Sequence, residues 1–135
     1  MNADDPVRLF LVERGCPEDL VSGGLEGLVA DWERVVKQVE RGYPLGLDDY
    51  LNDLDGRQLI EEALEVAPPP QRAGVLERVQ EADARMRQRI RLVGECLWGS
   101  RVAASEGWTA AGNWWYFAVP LKPGPVLTED LEAPE

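Results

Sequence analysis

A chain of 135 residues, 44% hydrophobic and 29% charged, is long enough to build one buried core and too ordinary in composition for general disorder or a fibrous class. Its 25 acidic and 14 basic side chains give a net charge of −11, and it has no histidine, which removes the commonest general base and the commonest metal ligand. No apolar run approaches the roughly 18 residues of a membrane helix, and the acidic start Met1-Asn2-Ala3-Asp4-Asp5 is unlike a secretory signal, so a cytoplasmic location is expected.

Asp5-Pro6 opens the first segment as an N-cap followed by proline at the first helical position, and Gly15 supplies a stop. Val7, Leu9 and Leu11 also alternate as in a strand, so the segment carries both patterns, and the balance tips to helix. Residues 1–22 are read as an N-terminal segment with room for a separate short helix, 23–119 as a single helical domain, and 120–135 as a Pro-rich acidic tail. From Leu25 to Val39 the apolar residues Leu25, Leu28, Val29, Trp32, Val35, Val36 and Val39 follow the helical template without a miss. Gly42 ends that helix, and Glu33 with Lys37 adds an i,i+4 ion pair.

After Gly42-Tyr43-Pro44, the residues Leu47, Tyr50, Leu51 and Leu54 keep helical spacing, but Leu59, Ile60, Ala63 and Leu64 fall out of phase with them. A break at Asp55-Gly56 is therefore expected, with Asp55 and Gln58 acting as a capping pair and two short helices at 48–54 and 56–66. Pro68-Pro69-Pro70 reads as a stiff extended connector. Beyond it Val75, Val79, Ala82, Met86, Ile90, Val93 and Leu97 predict one long helix with a narrow apolar stripe. Residues 98–119 hold Trp98, Trp108, Trp114, Trp115, Tyr116 and Phe117; Trp114 to Val119 has strand propensity, and Pro120, Pro123 and Pro125 argue against helix after it. The fold class is thus mainly α, a small bundle of about four helices with one long C-terminal helix, followed by a short extended or β aromatic segment.

Few groups here carry chemistry. Cys16 and Cys96 are too far apart in sequence to suggest a zinc pair or a disulfide framework, and no serine sits in a nucleophile elbow, so no catalytic residue and no cofactor is assigned. Asp53, Asp55, Gly56 and Glu62 resemble four positions of a calcium loop, but Leu51 stands where the first ligand belongs. Glu61-Glu62-x-x-Glu65 resembles half of the magnesium site of the all-α nucleoside-triphosphate pyrophosphohydrolases. That resemblance implies a second acidic pair on a facing helix, yet Glu81 is followed at the required offset by Ala84, and Asp83 falls one position early. Asp53, Asp55, Glu61, Glu62 and Glu65 are the ligands of this alternative, a divalent-metal-dependent nucleotide hydrolase or nucleotide-binding protein.

Net charge is −10 over residues 1–71, +3 over 72–101 and −4 over 102–135. Arg78, Arg85 and Arg89 flank one side of the long stripe and Arg87 and Arg91 the other, an arrangement suited to pairing with carboxylates on neighbouring helices. Internal pairing of the one basic element disfavours nucleic acid as a partner, leaving a nucleic-acid-binding or acid-mimicking protein as a third reading. Trp114 and Trp115 are adjacent, so in an extended segment they point to opposite faces, and one of them or Tyr116 is expected to stay at least partly exposed unless another element or another chain covers it. The leading expectation is a non-enzymatic accessory, inhibitor, antitoxin or immunity-like protein that binds a basic protein partner. Its surface is assigned to Trp108, Trp114, Trp115 and Tyr116 with Asp48, Asp49 and Asp53, and a homodimer seam along the stripe is left open.

Overall fold

A computed structural model describes residues 5–132, so residues 1–4 of the N-terminal segment and 133–135 of the acidic tail lie outside the described residues. The described chain is mostly helical, with a small two-stranded sheet near its C-terminal end. Helix α1 (Pro6–Glu13) begins as its sequence directs: the Asp5 carboxylate accepts hydrogen bonds from the amides of Val7 and Arg8, satisfying two donors that the first turn leaves free. Its buried residues, Val7 and Leu11, lie one helical turn apart on a single face.

Helix α2 (Glu18–Arg41) carries the expected stripe, and all seven of its apolar members from Leu25 to Val39 are buried. It starts earlier than the stripe and kinks at Gly24, where φ is +59° and ψ is −156°, a conformation that only glycine adopts cheaply. Gly42 ends it at a φ of +109°. Glu33 differs from expectation, because its carboxylate accepts from Arg78 on another helix rather than from Lys37 on its own.

Helix α3 (Leu47–Val66) is continuous, so the break expected at Asp55-Gly56 does not occur. The phase slip disappears once Arg57 is counted: it is 5% exposed, and with Tyr50, Leu54, Ile60 and Leu64 it completes one buried face. Apolar periodicity missed that face because the residue in the gap is charged. Helix α4 (Pro69–Arg87) likewise corrects the connector reading: Pro69 and Pro70 occupy its first turn, where a missing amide donor costs nothing. It stops ten residues short of Leu97, and Ile90–Leu92 forms strand β1 instead. Arg78 and Arg85 project from α4 to Glu26, Glu33 and Glu40 on α2, as the flanking pattern anticipated.

Helix α5 (Ser100–Glu106) buries none of its residues, and Trp114–Phe117 forms a 3₁₀ turn leading into β2 (Ala118–Pro120). The strands pair antiparallel, with Ile90 opposite Pro120, Arg91 opposite Val119 and Leu92 opposite Ala118. The aromatic segment is therefore extended only after Phe117. The expectation of no helix after the prolines is also overturned, since Pro125 opens α6 (Pro125–Glu132). Leu127 of α6 is fully buried, and Asp130 accepts a 2.9 Å hydrogen bond from the Leu47 amide, capping α3 from a distant part of the chain. One hydrophobic cluster runs from Val7 and Leu11 through α2, α3 and α4 to Trp114–Ala118 and Leu127. Among the described residues, no helix is long and apolar enough to cross a membrane.

Candidate functional site: an acidic, tryptophan-walled cleft

Asp55, Gln58, Leu59 and Glu62 lie three and four residues apart on α3, so they share the face turned toward residues 96–116. Asp55 Oδ1 accepts from Trp98 Nε1 at 3.1 Å and from the Tyr116 hydroxyl at 2.6 Å. Trp108 stacks on Tyr116, with ring centroids 3.9 Å apart and planes 16° from parallel. Gln58 accepts from Asn113 Nδ2 and donates to Glu62, which also receives the guanidinium of Arg14. Of these, Arg14, Asp55, Gln58, Glu62, Trp108 and Tyr116 line a cleft of about 370 Å³ together with Cys16 and Glu106.

Local turn chemistry sets Trp108 in that wall. Gly107 adopts a left-handed conformation at the end of α5, and the Trp108 amide donates back to the Ala103 carbonyl. The following turn is tied by Thr109 N–H to Asn113 Oδ1 and by Gly112 N–H to Thr109 Oγ1. Burial, reinforced by the bond to Asp55, pushes the Tyr116 hydroxyl well above its ordinary range, so it stays protonated and keeps its donor on the carboxylate.

Arg57, next to Gln58 on α3, is the centre of a buried polar node. Arg57 donates from Nε and Nη2 to the two oxygens of Asp83 at 3.0 and 2.8 Å and from Nη1 to Glu61 at 3.1 Å. Its guanidinium lies 4.3 Å from the ring centroid of Trp115, and Trp32 Nε1 donates to Asp83 at 2.9 Å. Burial works against the charged form of Arg57, but the hydrogen bonds and proximity of Asp83 and Glu61 outweigh it and hold the group above its usual value. The node joins α2, α3, α4 and the 3₁₀ turn.

The expected exposure of an indole in the 114–116 run is overturned. Trp114, Trp115 and Tyr116 are 5%, 1% and 1% exposed, because a 3₁₀ turn does not alternate faces as a strand does. Arg87 covers Trp114 and Arg57 covers Trp115, whose Nε1 is buried without an acceptor among the described residues. Trp108, by contrast, is half-buried and lines the cleft. Asp48 and Asp49 are exposed in the first turn of α3, away from it. Asp53 accepts from the Tyr43 hydroxyl at 2.5 Å and lines a neighbouring hollow of about 200 Å³ with Asp31, Trp32 and Arg34. Burial, only partly offset by Tyr43 and Arg34, raises its carboxyl above the ordinary value.

The structure thus joins Trp108 and Tyr116 to Asp55 and Glu62, not to Asp48, Asp49 and Asp53. Sequence reasoning assigns no binding role to Trp98, Arg14, Glu106, Gln58 or Leu59, reading Gln58 as a capping partner and Leu59 as a core residue. Trp98 carries a signal in its place in the aromatic-dense stretch, whereas Arg14 lies 48 residues from its partner.

The metal-ligand reading is also corrected. Asp53, Asp55, Glu61, Glu62 and Glu65 lie on one unbroken helix, so no calcium loop exists, and each of the first four already has a hydrogen-bonding or ionic partner. Glu65 is exposed. Asp83 on the facing helix is held by Arg57 and Trp32. Among the described residues, no group of three or more potential ligands is placed to hold a metal ion. Comparison of the chain with protein-family models, curated proteins and solved structures gives no significant match.

Proposed function

We propose that this chain is a non-enzymatic cytosolic protein, an accessory, inhibitor or antitoxin- or immunity-like subunit, that acts by binding a protein partner through the cleft and its rim. One observation carries the reading: Trp98, 37% exposed, and the half-buried Trp108 are gathered around one carboxylate, Asp55, while the other three tryptophans are sealed in the core. Tryptophan held rigidly at an accessible rim loses little entropy on contact and is a typical interface anchor. Val102, 36% exposed, lies one helical turn before the cleft-lining Glu106 on α5 and adds apolar surface to the same helix face. The acidic balance of the chain favours encounter with a basic partner, and the two free cysteines suit a reducing compartment.

Photo-crosslinking in the source cell tests this. A benzophenone amino acid at Val102 is expected to trap a defined adduct that the same group at Gln80, exposed on α4, does not. Trp98→Ala and Trp108→Ala should each reduce the yield with the fold intact by circular dichroism. An absent adduct, or equal adducts from both positions, overturns the reading.

A further inference from the structure

We infer that the cleft is a socket for an arginine side chain carried on a basic segment of the partner, and that Arg14 occupies its rim as an internal competitor. The inference rests on the interaction reading above and names the chemistry of the partner.

The walls suit a guanidinium. Trp108 and the Tyr116 ring stacked on it both line the cleft, and a flat cation is attracted to indole more strongly than to any other aromatic side chain. Three carboxylates, Asp55, Glu62 and Glu106, line the space against one resident cation, Arg14. Both protein donors to Asp55 use Oδ1, so Oδ2 has no hydrogen-bond donor among the described residues, and the Glu106 carboxylate has none either. These acceptors and the indole match a planar group with five donors better than a compact ammonium. A cleft of about 370 Å³ holds one such side chain with its methylene stem against Leu59, and is small for a folded element.

Arg14 shows that this wall takes a guanidinium. It reaches Glu62 from the end of α1, with its side chain 48% exposed and its guanidinium 5.8 Å from the Phe10 ring centroid. An exposed ion pair of this kind is weak and easily exchanged. A partner arginine that engages Trp108 as well as Glu62 and Glu106 has more contacts and displaces it. Removing Arg14 therefore frees the socket, whereas a merely structural Arg14 would leave affinity unchanged or lower it.

The test is a titration followed by the tryptophan indole N–H resonances of the full chain. The probes are acetyl-Gly-Arg-Gly-amide, its citrulline counterpart, which keeps the shape without the charge, and free arginine. The arginine peptide is expected to shift the Trp108 resonance saturably, the citrulline peptide is not, and free arginine is expected to bind more weakly than the peptide. Arg14→Gln should tighten peptide binding about two- to fivefold, the equivalent of one exposed ion pair, and Glu106→Gln should weaken it. Retained dispersion of the buried indole resonances shows that each variant is folded. Equal response to citrulline, no saturable shift in either the parent chain or Arg14→Gln, or weaker binding by Arg14→Gln overturns the socket. Free arginine binding as tightly as the peptide overturns its assignment to a protein segment. A Val102 adduct obtained alongside such a failure leaves the interaction surface standing without the socket.

Discussion

Arg57 and Asp83, 26 residues apart in sequence, meet through two parallel hydrogen bonds in the centre of the bundle, with Arg57 the only charged residue in the buried core among the described residues. A bidentate pair of this kind is strong in geometry but expensive to desolvate, so its stability contribution depends on both members being present. Asp83→Ala leaves Nε and Nη2 of Arg57 and the Trp32 indole N–H without their acceptor. A loss of about 3–5 kcal/mol is expected for Asp83→Ala or Arg57→Ala. The double change Arg57→Met with Asp83→Leu should cost clearly less than the sum of the two alanine variants, as read from urea unfolding. Additive losses would show that the pair is not coupled.

Two glycines contact the same region with opposite consequences. A methyl group on Gly124 would collide with the backbone carbonyl of Tyr43, the acceptor of the Gly124 amide, and backbone cannot yield as a side chain can. Gly124→Ala is expected to cost about 2–3 kcal/mol or to dislodge α6. At Gly46 the nearest atom is Oδ2 of Asp130, the end of a flexible side chain 2.7 Å from the added carbon, so Gly46→Ala should cost no more than the cap it disturbs. Thermal unfolding ranks the two.

Asp130 supplies α3 with a cap that its own N-terminal residue, Gly46, has no side chain to provide. Asp130→Ala should therefore destabilise the protein by about 1 kcal/mol, and Asp130→Asn, which keeps the acceptor, by much less. Hydrogen exchange at Leu47 offers the local readout, since its amide loses protection only in the alanine variant.

Two carboxylates give opposite pH dependences. The hydrogen bond from Arg78 holds Glu33 below its ordinary value, so its contribution is present above the unfolded-state pKa and is lost as pH falls through the folded-state value. Asp53 is raised, chiefly by burial, so the folded state binds its proton more tightly and stability is lost as pH rises through the carboxylate range. Urea unfolding between about pH 3 and pH 7 should show Asp53→Asn gaining on the parent chain as pH rises and Glu33→Gln falling behind it. Variant pH profiles that both run parallel to that of the parent chain would contradict both assignments.

What was legible in the sequence was whatever one helix states about itself. The stripe of α2, the Asp5 cap before Pro6 and the aim of Arg78 and Arg85, though not of Arg87, Arg89 or Arg91, at carboxylates of a neighbouring helix follow from spacing and residue type within one segment. Tertiary structure alone decided that Arg57 belongs to a buried face, that Ile90–Leu92 leaves the helical stripe to pair with Ala118–Pro120, and that two adjacent tryptophans turn inward together. It also chose Asp55 as the shared acceptor of Trp98 and Tyr116, 43 and 61 residues away. The physical reason is that periodicity reports which face a residue occupies, whereas the partner waiting on that face is set by the packing of segments far apart in the chain. A buried charge becomes tolerable, and a strand preferable to a helix, only when that partner is in place.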